Sequence, residues 1–428
     1  MLVEFSVQNY RSFYERATFS MVASSIKEHP THVAELSGQR ILTTSVFYGA
    51  NASGKSNLLK AFAFMKDMVL NSSKDTQAGE EIKVEPFLLN SRGADEPTQM
   101  EVVFLTDDTL YRYGFTCSSK QVLKEWLFAR STKPKSRELR LFERDAEKDF
   151  KVHSRFKEAK DSMLEFLRDN TLLLSLLAQF NGRVSTQIVH CFTNTNIWNI
   201  SSYMPVHTSV LIKNGLVPQD WISDILVKAD LGIKKFQITE REVSSATLKN
   251  TPFLLRQDVN KLVSLIINTH HEYYDAEANE FRAVIFDLAT QESEGTKQFF
   301  SMAGLIYYTL NRGGILFIDE IENSLHPLLC SIIIRLFQDA ETNTKGAQLV
   351  FTTHNTLLLN KGSFRRDEVW FAEKDSSCST DLYSLVEYKL DTGKARNDSS
   401  YGKDYIRGKY GALPFVNYED FARPFRNI

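Results

Sequence analysis

An α/β fold built around a phosphate-binding loop is predicted by three stretches of this sequence. The first is Gly49-Ala50-Asn51-Ala52-Ser53-Gly54-Lys55-Ser56, entered from the β-branched and aromatic run Thr44 to Tyr48 and left through Asn57-Leu58-Leu59-Lys60-Ala61-Phe62 at helical spacing. That is the strand, loop and helix order that G-x-x-x-x-G-K-[ST] requires. The second is Gly314-Ile315-Leu316-Phe317-Ile318-Asp319-Glu320, a continuous apolar run ending in two carboxylates. Buried parallel strands read this way, and nucleotide sites lie at the carboxyl ends of such strands. The third is Gln348-Leu349-Val350-Phe351-Thr352-Thr353-His354-Asn355, a further apolar strand that ends in a histidine.

The loop is read as a phosphate cradle. Gly49 and Gly54 let the backbone turn its N–H groups towards phosphate oxygens, and the start of the following helix adds the positive end of its dipole. Lys55 supplies a point charge to the β- and γ-phosphates, and the Ser56 hydroxyl is placed to complete a Mg²⁺ shell. At the second stretch Asp319 is expected to hold Mg²⁺ and Glu320 to polarise the attacking water. The plain alternative is a strand-to-helix turn and a strand capped by acidic loop residues; the occurrence of both in one chain favours the nucleotide reading.

With 428 residues, the chain is long enough for two or three domains, and 43% hydrophobic with 24% charged residues is a globular composition. A formal net charge of −2 does not mark a protein that coats nucleic acid through bulk electrostatics. Met1 to Gln8 alternates apolar and polar residues, as a strand does and a signal peptide does not. No apolar run reaches the length of a membrane span, and Cys117, Cys191, Cys330 and Cys378 are scattered without a C-x-x-C pair. This pattern predicts reduced thiols in a cytoplasmic protein that does not meet the membrane.

In chain order, strands are expected over Val3 to Val7 and Phe13 to Met21, then the strand feeding the loop, then a helix over Ala61 to Val69. Glu101 to Leu105 and Leu110 to Phe115 predict a hairpin around Asp107-Asp108. Between Lys120 and Lys160 there are 13 Lys or Arg against 7 Asp or Glu. A solvated charged surface is the commoner meaning of such a segment, and contact with DNA phosphates or an acidic partner is the alternative. Leucines and aromatics at near-helical spacing over Ser162 to Phe180 and Val210 to Leu231 predict helices, so an inserted, largely helical region is expected from 118 to 232. His270-His271-Glu272 lacks further ligands at metal spacing and is read as surface or partly packed histidines. Gln291 to Gln298 is followed by Phe299, Met302, Leu305, Ile306 and Leu310 on a helix, with Ser293 suited to its N-cap and Gly295 to a close backbone approach.

Phosphate loop, Ser-x-Gly-Thr helix, Asp-Glu strand, the Asn323-Ser324-Leu325-His326-Pro327 turn and the Thr-Thr-His strand, in that order, resemble the ATP-binding-cassette ATPases of the SMC, RecF and OLD type. Val7 to Phe13, Phe47 to Asn57, Glu292 to Thr296 and Lys409 to Pro414 look more closely like the bacterial AAA/ATP-binding family that contains AbiL- and RloA-type proteins of phage defence. The resemblance implies a P-loop NTPase of ABC-ATPase type, a mixed sheet with flanking helices and an inserted helical subdomain. Its lobes would be 1–117 and 233–428, with 118–232 between them. It implies that Arg11, Asn51 and Asn57 lie near the nucleotide, that Asn323 to Leu325 form the D-loop and that His354 is the switch histidine. Ser293 and Gly295 would be signature residues, although Glu294 departs from Leu-Ser-Gly-Gly-Gln. Gln99 is a candidate for the Q-loop glutamine.

In such ATPases the signature helix serves the phosphate loop of another chain, so the resemblance implies a head-to-tail homodimer or higher homo-oligomer closing on ATP and Mg²⁺. Too few residues follow His354 for an added nuclease domain, so a separately encoded toxin or nuclease is the expected effector. A RecF-like repair ATPase that contacts DNA through 120–160 is the rival, and a P-loop kinase is a third reading that leaves Ser293 and His354 unused.

Overall fold

The computed structural model describes residues 1–145, 149–198, 205–242, 254–258, 261–359, 362–390, 393–394, 401–413 and 423. Pro414, the last residue of the carboxyl-terminal motif, lies outside them, as do 146–148 and 199–204 of the expected helical insertion. The chain divides into two compact units, one of residues 1–195 and 350–428 and one of residues 196–349.

The first unit opens with β1 (Leu2–Gln8), β2 (Ala17–Ser20), β3 (Val33–Leu36), β4 (Gln39–Leu42) and β5 (Thr44–Tyr48), and α1 (Lys55–Asn71) follows the loop. All five residues of β5 are buried, as expected of a central strand covered on both faces. Strands β6 (Thr98–Thr106) and β7 (Thr109–Cys117) form the expected hairpin, with Asp107 at a φ of 51° in its turn. Then come β8 (Val122–Ser131), β9 (Leu139–Asp145), β10 (Phe150–Val152), α2 (Asp161–Leu164), α3 (Leu173–Gln179) and α4 (Arg183–Thr193). Seven strands make one antiparallel sheet in the order β10-β9-β8-β7-β6-β1-β2.

This corrects the expectation that the chain turns helical at 118. Strands at Val122–Ser131, Leu139–Asp145 and Phe150–Val152 continue the sheet, and among the described residues helices begin only at Asp161. The strand signal was hidden because Glu125 points inward and is fully buried, where an apolar residue is the usual occupant. Its charge is matched there: Arg144 Nε donates to Glu125 Oε2 at 2.9 Å, the Tyr113 hydroxyl donates at 2.9 Å, and the Leu173 and Leu174 N–H groups at the start of α3 donate at 2.7 and 2.9 Å. One carboxylate thus ties three strands to a helix start. Phe62 of α1 packs 5.1 Å from Phe5 of β1 and 6.0 Å from Phe192 of α4, so the helix after the loop is held by the sheet and by α4.

The second unit takes most of β11 (Thr195–Trp198), then α5 (Pro205–Lys213), α6 (Gln219–Lys228), β12 (Lys235–Glu242), β13 (Leu254–Asp258), β14 (Lys261–Asp275) and β15 (Glu280–Asp287). Strand β14 pairs antiparallel with β12, β13 and β15. Helices α7 (Leu288–Gln291) and α8 (Glu294–Arg312), strand β16 (Ile315–Ile318) and helix α9 (Pro327–Gln338) complete it. α8 is nearly all buried in its first half, and Gly304 lets Thr208 of α5 close in: a Cβ there would meet Thr208 Oγ1 at 2.5 Å.

Strand β17 (Gln348–Thr352) leads back into the first unit, which ends with β18 (Val369–Lys374), β19 (Thr380–Ser384), short β20 (Lys389–Leu390) and β21 (Gly393–Lys394), and α10 (Tyr401–Ile406). Here the strand order is β17-β5-β18-β19, with β5 and β18 parallel and β18 and β19 antiparallel. The expected mixed sheet with flanking helices is therefore present around the loop strand.

Candidate functional site

In the first unit the loop from Gly49 to Ser56 leaves β5 and turns into α1. Gly54 is the N-cap of α1 at a φ of 111° and offers no side chain to cap it. A Cβ at Gly54 would lie 2.2 Å from Thr380 Oγ1 and 2.7 Å from Ser12 Oγ, so glycine is required by space as well as by backbone conformation. At Gly49 a Cβ would lie 2.4 Å from the Ala372 carbonyl oxygen. Strands β18 and β19 thus press directly on the loop from below. Thr380 adds two bonds, its Oγ1 donating to Ser53 O at 2.8 Å and its N–H to Ser12 O at 2.7 Å.

Lys55 is buried and its ammonium donates to the Gly49 and Ala50 carbonyls at 2.9 and 3.0 Å. The charge is therefore held over the loop it belongs to. Asn51 stands exposed at the crest, and Ser56 and Asn57 are half-buried in the first turn of α1. Arg11 sits beside Tyr10, its guanidinium 5.9 Å from the ring centroid, and donates to Glu85 Oε1 at 2.5 Å. Its Nε is buried without a partner, and the same is true of Ser12 Oγ and Ser53 Oγ. Buried polar atoms are normally satisfied; Ser12 Oγ lies against Gly54 and Ser53 is in the loop itself, so two such orphans at one loop mark a place able to make further hydrogen bonds.

The Asn9 to Phe13 motif acts as scaffolding for this. Asn9, itself at a φ of 48°, donates from Nδ2 to Gly93 O and Glu96 O at 2.8 and 2.7 Å and accepts from the Phe87 N–H at 3.1 Å. His354 is exposed just beyond β17. Its neighbours register it against the loop strand: Thr353 N–H donates to Phe47 O at 3.1 Å, and the Tyr48 hydroxyl donates to Asn355 O at 3.3 Å. His354 and Gly49 are thereby set at adjacent strand ends. The carboxyl-terminal motif also gains a role, since Tyr405 and Tyr410 pack on Phe371 of β18 at 5.5 and 5.6 Å, and the Tyr383 hydroxyl donates to Tyr410 O at 2.7 Å. Gln99 lies within β6, paired with Gln8 and Thr116.

In the second unit Asp319 and Glu320 follow β16, and the Asp319 N–H donates to Trp198 O at 3.0 Å. Glu320 and Ser324 both have left-handed backbone, at φ 52° and 56°. Such strain is retained where the surroundings enforce it and is concentrated at functional turns. Ser293 is the N-cap of α8, its Oγ accepting from the Thr296 N–H at 3.1 Å. A Cβ at Gly295 would meet the Ser324 carbonyl oxygen at 2.4 Å. The close approach read from the sequence at Gly295 is therefore real, and its occupant is the backbone of the Asn323 to Leu325 turn. This coupling of the two motifs was not legible in the sequence, because nothing in the type or spacing of the residues joins positions 295 and 324.

His271 Nε2 and Glu292 Oε1 lie 2.6 Å apart, Thr269 hydrogen-bonds the same carboxylate, and no group of three or more His, Cys, Asp or Glu among the described residues is arranged to hold a metal. This pair anchors the residue immediately before Ser293 to β14.

A protein-family model described as "AAA domain, putative AbiEii toxin, Type IV TA system" matches residues 45–360, from the loop strand past His354. The chain belongs to this family. As an AAA-domain protein it carries an ATP-binding P-loop. No curated protein matches the AAA-domain chain. Among solved structures it is similar to the SmcHead bound to the C-winged helix domain of ScpA, at 10% identity and TM-score 0.43, over 91% of this chain and 98% of that one. The SMC head domain from Thermotoga maritima matches at 10% identity and TM-score 0.38, over 90% and 98% of the two chains. The recombination mediator protein RecF with ATP matches at 14% identity and TM-score 0.32, over 89% and 97%. These likenesses are too distant to specify a function. No helix of the described residues is long and apolar enough to cross a membrane.

Proposed function

We propose that this AAA-domain chain hydrolyses ATP at a composite site of a head-to-tail homodimer and uses the cycle to switch a separately encoded effector, a toxin or nuclease, in anti-phage defence. The observation that carries the nucleotide half is the loop itself. Lys55 is parked on the Gly49 and Ala50 carbonyls, and Ser12 Oγ and Ser53 Oγ are buried without partners at the same loop. A triphosphate gives Lys55 a better acceptor than two neutral carbonyls, because charge-assisted bonds are roughly twice as strong as neutral ones. The positive end of the α1 dipole favours an anion in the same place.

The roles then follow the motifs. Gly49, Asn51, Gly54, Lys55, Ser56, Asn57 and Arg11 hold the nucleotide, and Ser56 and Asp319 hold Mg²⁺, which supplies charge neutralisation at the phosphates. Glu320 orients the attacking water and His354 contacts the γ-phosphate. Ser293 and Gly295 of one subunit cap ATP bound to Lys55 of the other. The Gly295 to Ser324 contact supports this cap, because it makes the signature helix and the D-loop move as one piece. The effector and defence role rest on the family description, which names a toxin and a toxin–antitoxin system.

Phosphate release measured on purified protein tests the enzyme reading. Lys55→Ala should lose ATP binding at the phosphate loop, and Glu320→Gln should keep it while hydrolysis falls by about two to four orders of magnitude, as for loss of a general base. Hydrolysis by Glu320→Gln at the parental rate removes Glu320 from its role.

One observation favours a second reading, a DNA-contacting ATPase of the RecF kind. Lys133, Lys135 and Arg137 crowd the turn between β8 and β9, with Arg140 at the start of β9, and all four are exposed. Salt-dependent DNA binding lost on neutralising these four residues supports that reading; its absence, with a co-purifying neighbour-encoded protein, supports the sensor.

A further inference from the structure

The positive excess of Lys120 to Lys160 has a second destination away from the β8–β9 turn. Arg155, Lys157 and Lys160 stand with Arg183, in the first turn of α4, around a cleft of about 670 Å³ in the first unit. All four are exposed, and among the described residues none of their charged ends has a hydrogen-bond or ion-pair partner. The floor between them is aromatic: Tyr111 and Phe156 are buried there, and Phe180 remains 56% exposed.

Two carboxylates also line the cleft, and both are engaged. Glu158 Oε1 accepts from the Val184 N–H at 2.5 Å, and its Oε2 accepts from the Ser185 N–H at 3.1 Å and Ser185 Oγ at 2.7 Å. Its charge is thus matched by the positive end of α4. Asp107 accepts from Gln187 Nε2 at 3.0 Å. What the cleft offers a ligand is therefore four free cations over an aromatic floor.

We propose that this cleft binds a free nucleotide, separately from the phosphate loop. Its volume lies in the range of small-molecule sites, roughly 300–1,000 Å³. Arginine and lysine together match a phosphoryl group, the guanidinium by two parallel bonds and the ammonium as a point charge. An exposed phenylalanine beside buried aromatic rings is a stacking surface for a planar base, an interaction worth about 1–3 kcal/mol per base. A simple carboxylate would leave most of the four charges unmatched, and a purely apolar ligand would leave all of them. The inference is independent of how the protein uses ATP.

The test is titration calorimetry on the full chain carrying Lys55→Ala, which removes the phosphate-loop contribution, with AMP, GMP, CMP, UMP and inorganic phosphate as probes. At least one nucleotide should give a saturable one-to-one isotherm, weakened tenfold or more by Lys157→Glu with Arg183→Glu, with phosphate alone binding far more weakly. Both substituted residues are exposed and unpartnered, so the unfolding midpoint should not move. Phe180→Ala, which leaves the charges intact, should weaken the nucleotide and spare phosphate. The proposal is overturned if no nucleotide saturates, if both sets of substitutions leave affinity unchanged, if phosphate binds as tightly as any nucleotide, or if an oligo-dT strand binds as tightly through the same residues.

Discussion

Gly295 illustrates how a single missing side chain can govern a motif. A Cβ at this position would stand 2.4 Å from the Ser324 carbonyl oxygen, a distance that backbone cannot absorb without moving. Gly295→Ala should therefore displace the Asn323 to Leu325 turn and slow hydrolysis by about tenfold or more, roughly 1.4 kcal/mol at the barrier. Nucleotide affinity, set mainly by Lys55, should fall less than the hydrolysis rate; an equal loss of both would mean that Gly295 serves folding alone. The thiols give a second residue-scale prediction. Burial pushes Cys117 up to about 12, and burial with Glu322 nearby pushes Cys330 up to about 12 as well, while Cys378 is exposed. Thiolate is the reactive form. At pH 8 an alkylating reagent should label Cys378 rapidly and leave Cys117 and Cys330 thiols; their labelling should appear only near their raised values or on unfolding, as mass spectrometry with and without denaturant will show.

Elements were legible in the sequence where pattern and environment agreed. The loop strand, the helix after it, the β6–β7 hairpin and the Ser293-capped helix all carry ordinary signals, and each is found within a few residues of its expected place. Strand β8 was lost because Glu125 breaks the apolar side of its alternation. No local signal reports that Arg144, Tyr113 and the start of α3 will surround that carboxylate. The short hairpin of β3 and β4 was lost because neither strand has a fully buried face. At the site, Thr380 was invisible for the same reason as the Glu125 network: it meets the loop across 327 residues of chain and has an unremarkable side chain. The Glu125 arrangement predicts its own cost. Glu125→Ala leaves Arg144 buried and uncompensated and strips two N–H groups of α3, so it should destabilise the protein by about 3–5 kcal/mol. Urea denaturation should show this as a lowered midpoint, and Glu125→Gln, which can still accept from α3, should fall between the two.

Across the whole molecule the nucleotide motifs are shared between the two units. Lys55, Ser56, Arg11 and His354 belong to the first, and Ser293, Gly295, Asp319 and Glu320 to the second. Their order along the chain was readable, because each motif follows a strand or opens a helix with its own pattern. The boundaries of the units were not readable, because β11 and β17 pass from one unit to the other without any turn or composition shift at 195 or 350. The proposed cycle, in which ATP closes a dimer and hydrolysis opens it, is a two-state switch biased by the γ-phosphate. Sedimentation velocity of Glu320→Gln with and without ATP and Mg²⁺ tests that claim most directly. The account predicts a shift from monomer to dimer with ATP, reversed on nucleotide removal and absent when Lys55→Ala or a bulky residue at Ser293 is added. An unchanged sedimentation coefficient with ATP demonstrably bound would contradict it.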